Sequence, residues 1–141
     1  MAILTVAAGC GESTGPGSIT GTYTLYAIDG IDLTLPVALP IDPACEVLLS
    51  PAVCVETLRI EVRSGTVLLS ADSSYRIQTL LRRQLPGGAS TEVTSNLRGQ
   101  WSLQGDHVSL VDTLGTHRSG ALAGHTLTID VVPNMAWAYR K

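Results

Sequence analysis

The sequence lacks phenylalanine and has few charges, and these shortages narrow the classes of protein to which it can belong. Charged residues make up 15% of its 141 residues and apolar ones 45%, which is too hydrophobic for a disordered chain. The net charge is −3 and the longest basic run is Arg82-Arg83, which argues against nucleic acid as a partner because phosphates need clustered cations. No run approaches the roughly 18–20 apolar residues of a membrane-spanning helix.

Motifs that carry catalysis are missing as well. The chain has no His-Glu-x-x-His, Gly-x-Ser-x-Gly, Walker A or Cys-x-x-Cys pattern. We expect His107 and His125 near turns at one end of the fold and His117 at the other end, so the three cannot share one metal. A site built from His107, His125 and Asp106 is the alternative to solvated loop histidines. We therefore expect no enzyme activity, no cofactor and no metal site.

Short alternating apolar runs fill the chain from Ile19 onward, and turn residues separate them. The pattern predicts a single all-β, antiparallel, up-and-down meander of about 8–9 strands, each with one apolar face. Closure into a small barrel removes the exposed edges, so we favour a lipocalin-like barrel, with a β-sandwich as the alternative. The runs lie at residues 20–28, 57–63, 66–71, 74–85, 91–103, 108–112, 117–122, 126–131 and 135–140.

The turn lengths predict the strand register. Ser64-Gly65 is predicted to form a two-residue hairpin turn that separates two strands. A loop at Ala71–Ser73 then sets Leu69 opposite Tyr75, with both side chains on the inner face. A slip of one residue would bring a charged side chain onto that face, so the register is well specified.

The inward-facing row mixes large and small side chains. A loop at Gln104–His107 sets Trp101 opposite Leu110, and Trp137 and Tyr139 continue the row near the end of the chain. The small members, which could leave room for a cavity, are Ala27, Ala71, Thr79, Ser95 and Gly99.

The segment Leu35–Val55 interrupts the strand pattern with four prolines among apolar residues. Loops of this length in a compact domain are often functional. We expect it to cap the mouth of the barrel, where it could shield a bound apolar ligand or fill the interior as part of the core. The candidate ligand-binding or partner-binding residues are Leu39, Ile41, Val47, Leu48, Leu49 and Val53.

Cys45 and Cys54 lie nine positions apart in this segment, and Cys10 is the third cysteine. An odd number is unusual in an exported protein unless one cysteine is modified and two are paired. A Cys45–Cys54 disulfide is predicted, and it requires an oxidising compartment. The alternative is a pair of reduced thiols packed as small apolar groups.

The stretch Val6-Ala7-Ala8-Gly9-Cys10 resembles the lipobox of bacterial lipoproteins. The resemblance implies that Cys10 is acylated and anchors the protein to a membrane. Residues 1–9 are then the remainder of a signal peptide, 10–18 the lipidated cysteine with a flexible tether, and 19–141 the β domain. The expected location is the bacterial cell envelope, at the outer membrane or cell surface. The alternative is an ordinary N-terminal segment with an incidental cysteine.

The β domain resembles the lipocalin-like domains of small bacterial lipoproteins. The similar residues are Gly21-Thr22-Tyr23, the Asp29-Gly30 turn with the Leu33-Thr34-Leu35-Pro36 that follows it, Gly99–Leu103 and Trp137–Lys141. The resemblance implies a membrane-anchored barrel that binds a small apolar ligand. The alternative is a protein-protein interaction module with a filled barrel, either protease-inhibitor-like or a self-assembling envelope component. An open apolar cavity of about 300 Å³ or more would favour the ligand-binding function.

Overall fold

The computed structural model describes residues 19–141 and shows an all-β domain with two short helices. Cys10 and the predicted tether lie outside the described residues. Within the described part of the chain, no helix is long and apolar enough to cross a membrane. In chain order the elements are β1 (Gly21–Ile28), β2 (Ile31–Asp32), β3 (Val37–Leu39), α1 (Ile41–Val47), α2 (Pro51–Cys54), β4 (Arg59–Leu69), β5 (Ser74–Gln84), β6 (Ser90–Gln104), β7 (His107–Asp112), β8 (His117–Ala123), β9 (Thr126–Ile129) and β10 (Trp137–Arg140).

Eight antiparallel strands close into a barrel. β4 to β10 follow one another around the wall, and β1 completes it by pairing with β10 on one side and β4 on the other. β2 and β3 are added at the outer ends of β1 and β4, where those two strands diverge. The predicted up-and-down barrel is confirmed, and the β-sandwich alternative is wrong.

The two predicted registers are confirmed at the residue level. Leu69 lies opposite Tyr75, and Trp101 lies opposite Leu110. All four side chains are buried. The indole N–H of Trp101 donates to the Ser70 carbonyl at 3.0 Å, which ties β6 to the β4–β5 turn.

The predicted hairpin turn at Ser64-Gly65 is wrong, because β4 runs without a turn from Arg59 to Leu69. A β-bulge between Val62 and Ser64 inserts one extra residue, which moves the inward-facing positions from even to odd numbers. Gly65 then faces inward, where an added Cβ would lie 3.1 Å from Leu25 Cδ2. Ala71, predicted to face inward, is exposed in the turn that follows β4.

The two ends of the barrel differ. The described chain enters at Ile19, at the end that carries the β4–β5, β6–β7 and β8–β9 turns. At this entry end the Tyr23 hydroxyl donates to the Ile19 carbonyl at 2.7 Å, and the Lys141 ammonium donates to the Thr20 carbonyl. The opposite end carries the insertion 29–58 between β1 and β4. Its first turn, Asp29-Gly30, has positive φ at both residues, as a two-residue hairpin turn of this kind requires.

Large side chains occupy the interior of the barrel. Aromatic residues from β1 and β10 meet aliphatic residues from the other strands, and all are less than 2% exposed. The largest of these side chains are Trp137, Tyr23, Tyr139, Ile28, Ile60, Leu69, Ile77, Leu81, Leu110, Leu127, Ile129 and Val62.

Candidate functional site

The insertion 29–58 forms a cap over one end of the barrel. The sequence predicted an irregular loop from Leu35 to Val55, but the structure contains β3, α1 and α2 there. The prolines are compatible with the two helices. Pro43 lies in the first turn of α1, and Pro51 is the first residue of α2. A first helical turn tolerates proline because its N–H groups have no intrahelical acceptor.

The inner face of the cap belongs to the barrel core. Leu39 and Leu48, both predicted site residues, are 4% and 7% exposed. Ala44, which lies between them in sequence, is completely buried. The remaining predicted residues are intermediate in exposure, namely Ile41, Val47, Leu49 and Val53. The structure therefore brings the predicted residues together mainly as packing beneath the cap.

Cys45 and Cys54 form the predicted disulfide, with their Cα atoms 6.0 Å apart. The bond joins α1 to α2 and fixes the two helices against each other. A second attachment comes from the barrel wall, because the Arg83 guanidinium on β5 donates to the Val53 carbonyl. The Thr57 hydroxyl donates to the same carbonyl at 3.3 Å. The disulfide thus joins the two helices of the cap, and the Arg83 hydrogen bond joins the cap to the barrel wall.

The outer face of the cap exposes large apolar side chains. Val55, the C-cap residue that follows α2, is 80% exposed, and Leu58 is 61% exposed just before β4 begins. Leu35, between β2 and β3, is 60% exposed. Sequence reasoning placed the site on residues that are buried or half-buried and missed this outer face, because alternation cannot tell which side of an irregular segment packs inward.

A buried ion pair lies near the capped end. The Arg118 guanidinium on β8 faces inward, donates from Nη1 to Asp112 Oδ2 at 3.1 Å, and reaches the Val131 carbonyl with Nε at 3.4 Å. The other carboxylate oxygen of Asp112 accepts the backbone N–H groups of Leu114 and Thr116. Sequence reasoning missed Arg118, although it shares inward parity with Leu122 on β8 and is a cation in an apolar row.

These contacts set the ionisation of Asp112. Burial pushes the pKa of its carboxyl upward, but the hydrogen bonds from Thr116, Arg118 and Leu114 outweigh burial and hold the pKa below the ordinary 3.8. Burial also raises the pKa of Tyr75, whose ring projects from β5 towards the same pair. Asp112 is therefore ionised at neutral pH beside the Arg118 guanidinium.

Four polar atoms inside the barrel have no hydrogen-bond partner within residues 19–141. They are Tyr75 OH, Thr79 Oγ1, Trp137 Nε1 and Tyr139 OH. Burial raises the pKa of Tyr139 far above its ordinary value, so its phenol stays protonated. An interior carrying these donors and acceptors suits a purely apolar ligand poorly.

The grooves of the described surface open to solvent. One of about 270 Å³ lies at the capped rim and includes Val47, His117, Arg118 and Val131 in its lining. A larger one of about 370 Å³ lies on the outer flank next to Arg98.

The histidines lie as the sequence suggested. His107 begins β7 and His125 lies in the β8–β9 turn, both at the entry end, whereas His117 begins β8 at the capped end. Within residues 19–141 no group of three or more His, Cys, Asp or Glu side chains is arranged to hold a metal ion.

Comparison with known proteins leaves the family open. No family model matches the sequence, and no curated protein matches it. The chain is similar to part of a solved structure, that of the Cpx pathway activator NlpE from Escherichia coli, with a TM-score of 0.38 and 17% sequence identity. The similarity covers 67% of this chain and 40% of the NlpE chain. A similarity this distant leaves the function to be argued from the geometry of this chain.

Proposed function

We propose that the chain is an exported protein, anchored through a lipid on Cys10, that binds a partner protein with the outer face of its cap. The two-sided cap carries this proposal. Its inner side is barrel core, and its outer side presents Val55 and Leu58, which are 80% and 61% exposed. Apolar side chains of this size, held on a rigid support, are typical of recognition surfaces.

The filled interior supports binding at the surface. Trp137 and Tyr139 are completely buried in the barrel, and the cap adds Ala44 and Leu48 above them. An eight-stranded barrel encloses just enough space for its own side chains or for one small ligand. Here the side chains take that space, so a small apolar ligand inside the barrel stays a prediction without support from the packing.

The position of the cap favours a protein over the membrane as its partner. β1 leads from the entry end, where the anchored segment joins at Ile19, to the capped end, and it spans 8 residues. At about 3.3 Å per residue β1 is roughly 25 Å long, and the strand tilt of a barrel leaves its two ends about 20 Å apart. The cap is therefore the end of the barrel farther from the point at which the tether is attached.

The Cys45–Cys54 disulfide supports export. Structural disulfides persist in the periplasm and outside the cell, and they are rare in a reducing cytosol. A bond that joins the two helices of the cap would preserve the recognition surface in such a compartment. The acyl group on Cys10 is a separate part of the proposal and rests on the lipobox resemblance.

Site-specific photo-crosslinking in the native envelope tests the cap. A photoreactive side chain at Leu35, which leaves Val55 and Leu58 intact, should capture one discrete protein. The double variant Val55→Asp, Leu58→Asp should reduce capture at least about tenfold, because each carboxylate would have to be desolvated at the interface. The matched control is Leu68→Asp, on the outer flank of β4 and 40% exposed, which should leave capture unchanged.

Two results would count against the proposal. Equal capture by the cap variant and the wild type would show that the exposed leucine and valine do not bind the partner. Equal loss in the Leu68→Asp control would assign the effect to added charge in general. Thermal unfolding of all the variants establishes that each retains the fold.

A further inference from the structure

The half of β6 nearer the cap has one unpaired edge. β6 pairs with β5 along Ser90–Gln100 but with β7 only along Gly99–Gln104. On the β7 side, the backbone of residues 91–97 therefore has no strand partner within residues 19–141. This free segment is longer than the other edges of the sheet, since β2 and β3 have 2 and 3 residues.

The hydrogen bonds just after the free segment, at Arg98 and Trp101, show which backbone groups point to the free edge. The Trp101 N–H donates to the Ser73 carbonyl on the β5 side, whereas the Arg98 carbonyl accepts the Thr113 N–H on the β7 side. Successive residues of a strand direct their N–H and C=O groups to alternate sides, so even-numbered positions face the free edge. The residues that offer both groups there are Glu92, Thr94 and Asn96.

The free segment lacks the features that usually protect an edge strand. Lysine, proline and a bulge are the common protections. The segment 91–97 reads TEVTSNL, which contains neither lysine nor proline, and its pairing with β5 is regular throughout. Glu92 is its one charged residue, so the edge remains able to accept another strand.

We propose that this edge pairs with the same edge of a second copy of the chain, antiparallel and with Thr94 opposite Thr94. A centre at Thr94 avoids the difficulties of the two neighbouring outward-facing positions. Centring on Glu92 would set two carboxylates directly opposite each other, which is unfavourable. Centring on Asn96 would require the Arg98 carbonyl, which already accepts the Thr113 N–H.

The Thr94 register is complementary on both faces of the strand. Glu92 lies opposite Asn96 of the second copy and diagonal to its Arg98, which pairs opposite charges. On the inner face, Val93 lies diagonal to Leu97 of the second copy. Both of these apolar side chains are intermediate in exposure, so pairing would bury more of them.

The pairing surface differs from the cap and leaves it uncovered. A two-fold axis through the paired edges makes the two barrels antiparallel, with one cap at each end of the pair. A segment of this length buries less area than the roughly 1,200–2,000 Å² of a stable complex. We therefore expect reversible dimers that form as the concentration rises.

Cysteine cross-linking tests the register with the full chain. Cys10 is replaced by Ser in every variant so that the introduced thiol is the one available to bridge. Thr94→Cys should form an intermolecular disulfide under mild oxidation, because a hydrogen-bonded antiparallel pair places Cα atoms about 5.5 Å apart. The matched control is Gln78→Cys, exposed on the inner neighbour β5. Its two Cα atoms would lie roughly 20 Å apart, because they are separated by three strand spacings and displaced by four residues along the strands.

Sedimentation equilibrium supplies a second, independent measurement. Thr94→Pro removes the outward N–H at the centre of the pair and should raise the dimer dissociation constant at least about tenfold. Thr94→Ala keeps that N–H and should match the wild type. A chain that stays monomeric at all concentrations overturns the proposal, as does cross-linking of Gln78→Cys that equals that of Thr94→Cys. The cross-linking needs no disruptive substitution. It therefore tests the proposal even if Thr94→Pro misfolds.

Discussion

Arg118 and Asp112 form a salt bridge of 3.1 Å near the capped end of the barrel, and their side chains are only 6% and 10% exposed. The pair connects β8 to the end of β7. Asp112 also organises the turn between these strands by accepting the N–H groups of Leu114 and Thr116. One carboxylate therefore satisfies a buried cation and holds the backbone of a turn.

Removing one member of this pair should destabilise the folded protein. We expect Arg118→Met to lower the free energy of unfolding by about 3–5 kcal/mol, because it leaves a buried carboxylate without its cation. The control is Arg59→Met in the 3.1 Å pair with Glu61, where the Arg59 side chain is 49% exposed. That exposed pair should contribute less than about 1 kcal/mol. Equal losses in urea unfolding would contradict this assignment of the two pairs.

The same carboxylate should make stability depend on pH. The pKa of Asp112 is lower in the folded protein than the ordinary value of 3.8, so folding favours its ionised form. Its contribution is fully present above the unfolded pKa, about 3.9, and is lost as the pH falls through the folded pKa. The difference in unfolding free energy between wild type and Asp112→Asn should therefore shrink below about pH 4. A difference that stays constant from pH 7 to pH 3 would show that the carboxylate charge is not responsible.

Gly99 allows β6 and β7 to approach closely. An added Cβ would lie 1.9 Å from the Val111 carbonyl oxygen and 2.7 Å from the Asp112 Cα atom, both on the backbone of β7. Gly99→Ala should destabilise by about 1–3 kcal/mol or more, because the backbone must move to relieve the overlap. The exposed neighbour Gln100→Ala should stay within about 0.5 kcal/mol of the wild type. Thermal unfolding that shows no loss for Gly99→Ala would mean that the strands are further apart than described.

The Cys45–Cys54 bond should stabilise the fold by restricting the unfolded chain. Reducing this bond, which joins residues nine positions apart, should lower the free energy of unfolding by about 2–3 kcal/mol in the chain-entropy model. The measurement is urea unfolding with the bond intact and after reduction under otherwise identical conditions. If reduction left the midpoint unchanged, the disulfide would not restrain the cap.

The strand pattern was predictable because the barrel wall buries one face of each strand. The opposition of Leu69 and Tyr75 followed from alternation and turn length, since a slip of one residue would have placed charge in the core. The bulge near Val62 was not predictable in this way, because it shifts parity inside a strand and Ser64-Gly65 resembles a turn. The ion pair of Arg118 was not predictable from the sequence, because its partner Asp112 lies on a neighbouring strand and the two approach each other only in the folded structure.

The cap was only partly predictable. The spacing of Cys45 and Cys54 indicated the disulfide, and the apolar residues between them indicated burial. Neither feature showed that Pro43 and Pro51 lie in first helical turns, or that Val55 remains outside while Leu48 packs inside. These outcomes depend on which side of each short helix meets the barrel.

Mass spectrometry of the protein purified from its own envelope tests the central claim, that the barrel is filled by its own side chains. The native mass is compared with the mass of the same sample after denaturation, so that a covalent lipid on Cys10 contributes to both. We expect the two masses of the monomer to be equal. An apolar compound present in the native protein at one molecule per chain and lost on denaturation would show that the barrel carries a ligand and would contradict the proposed function.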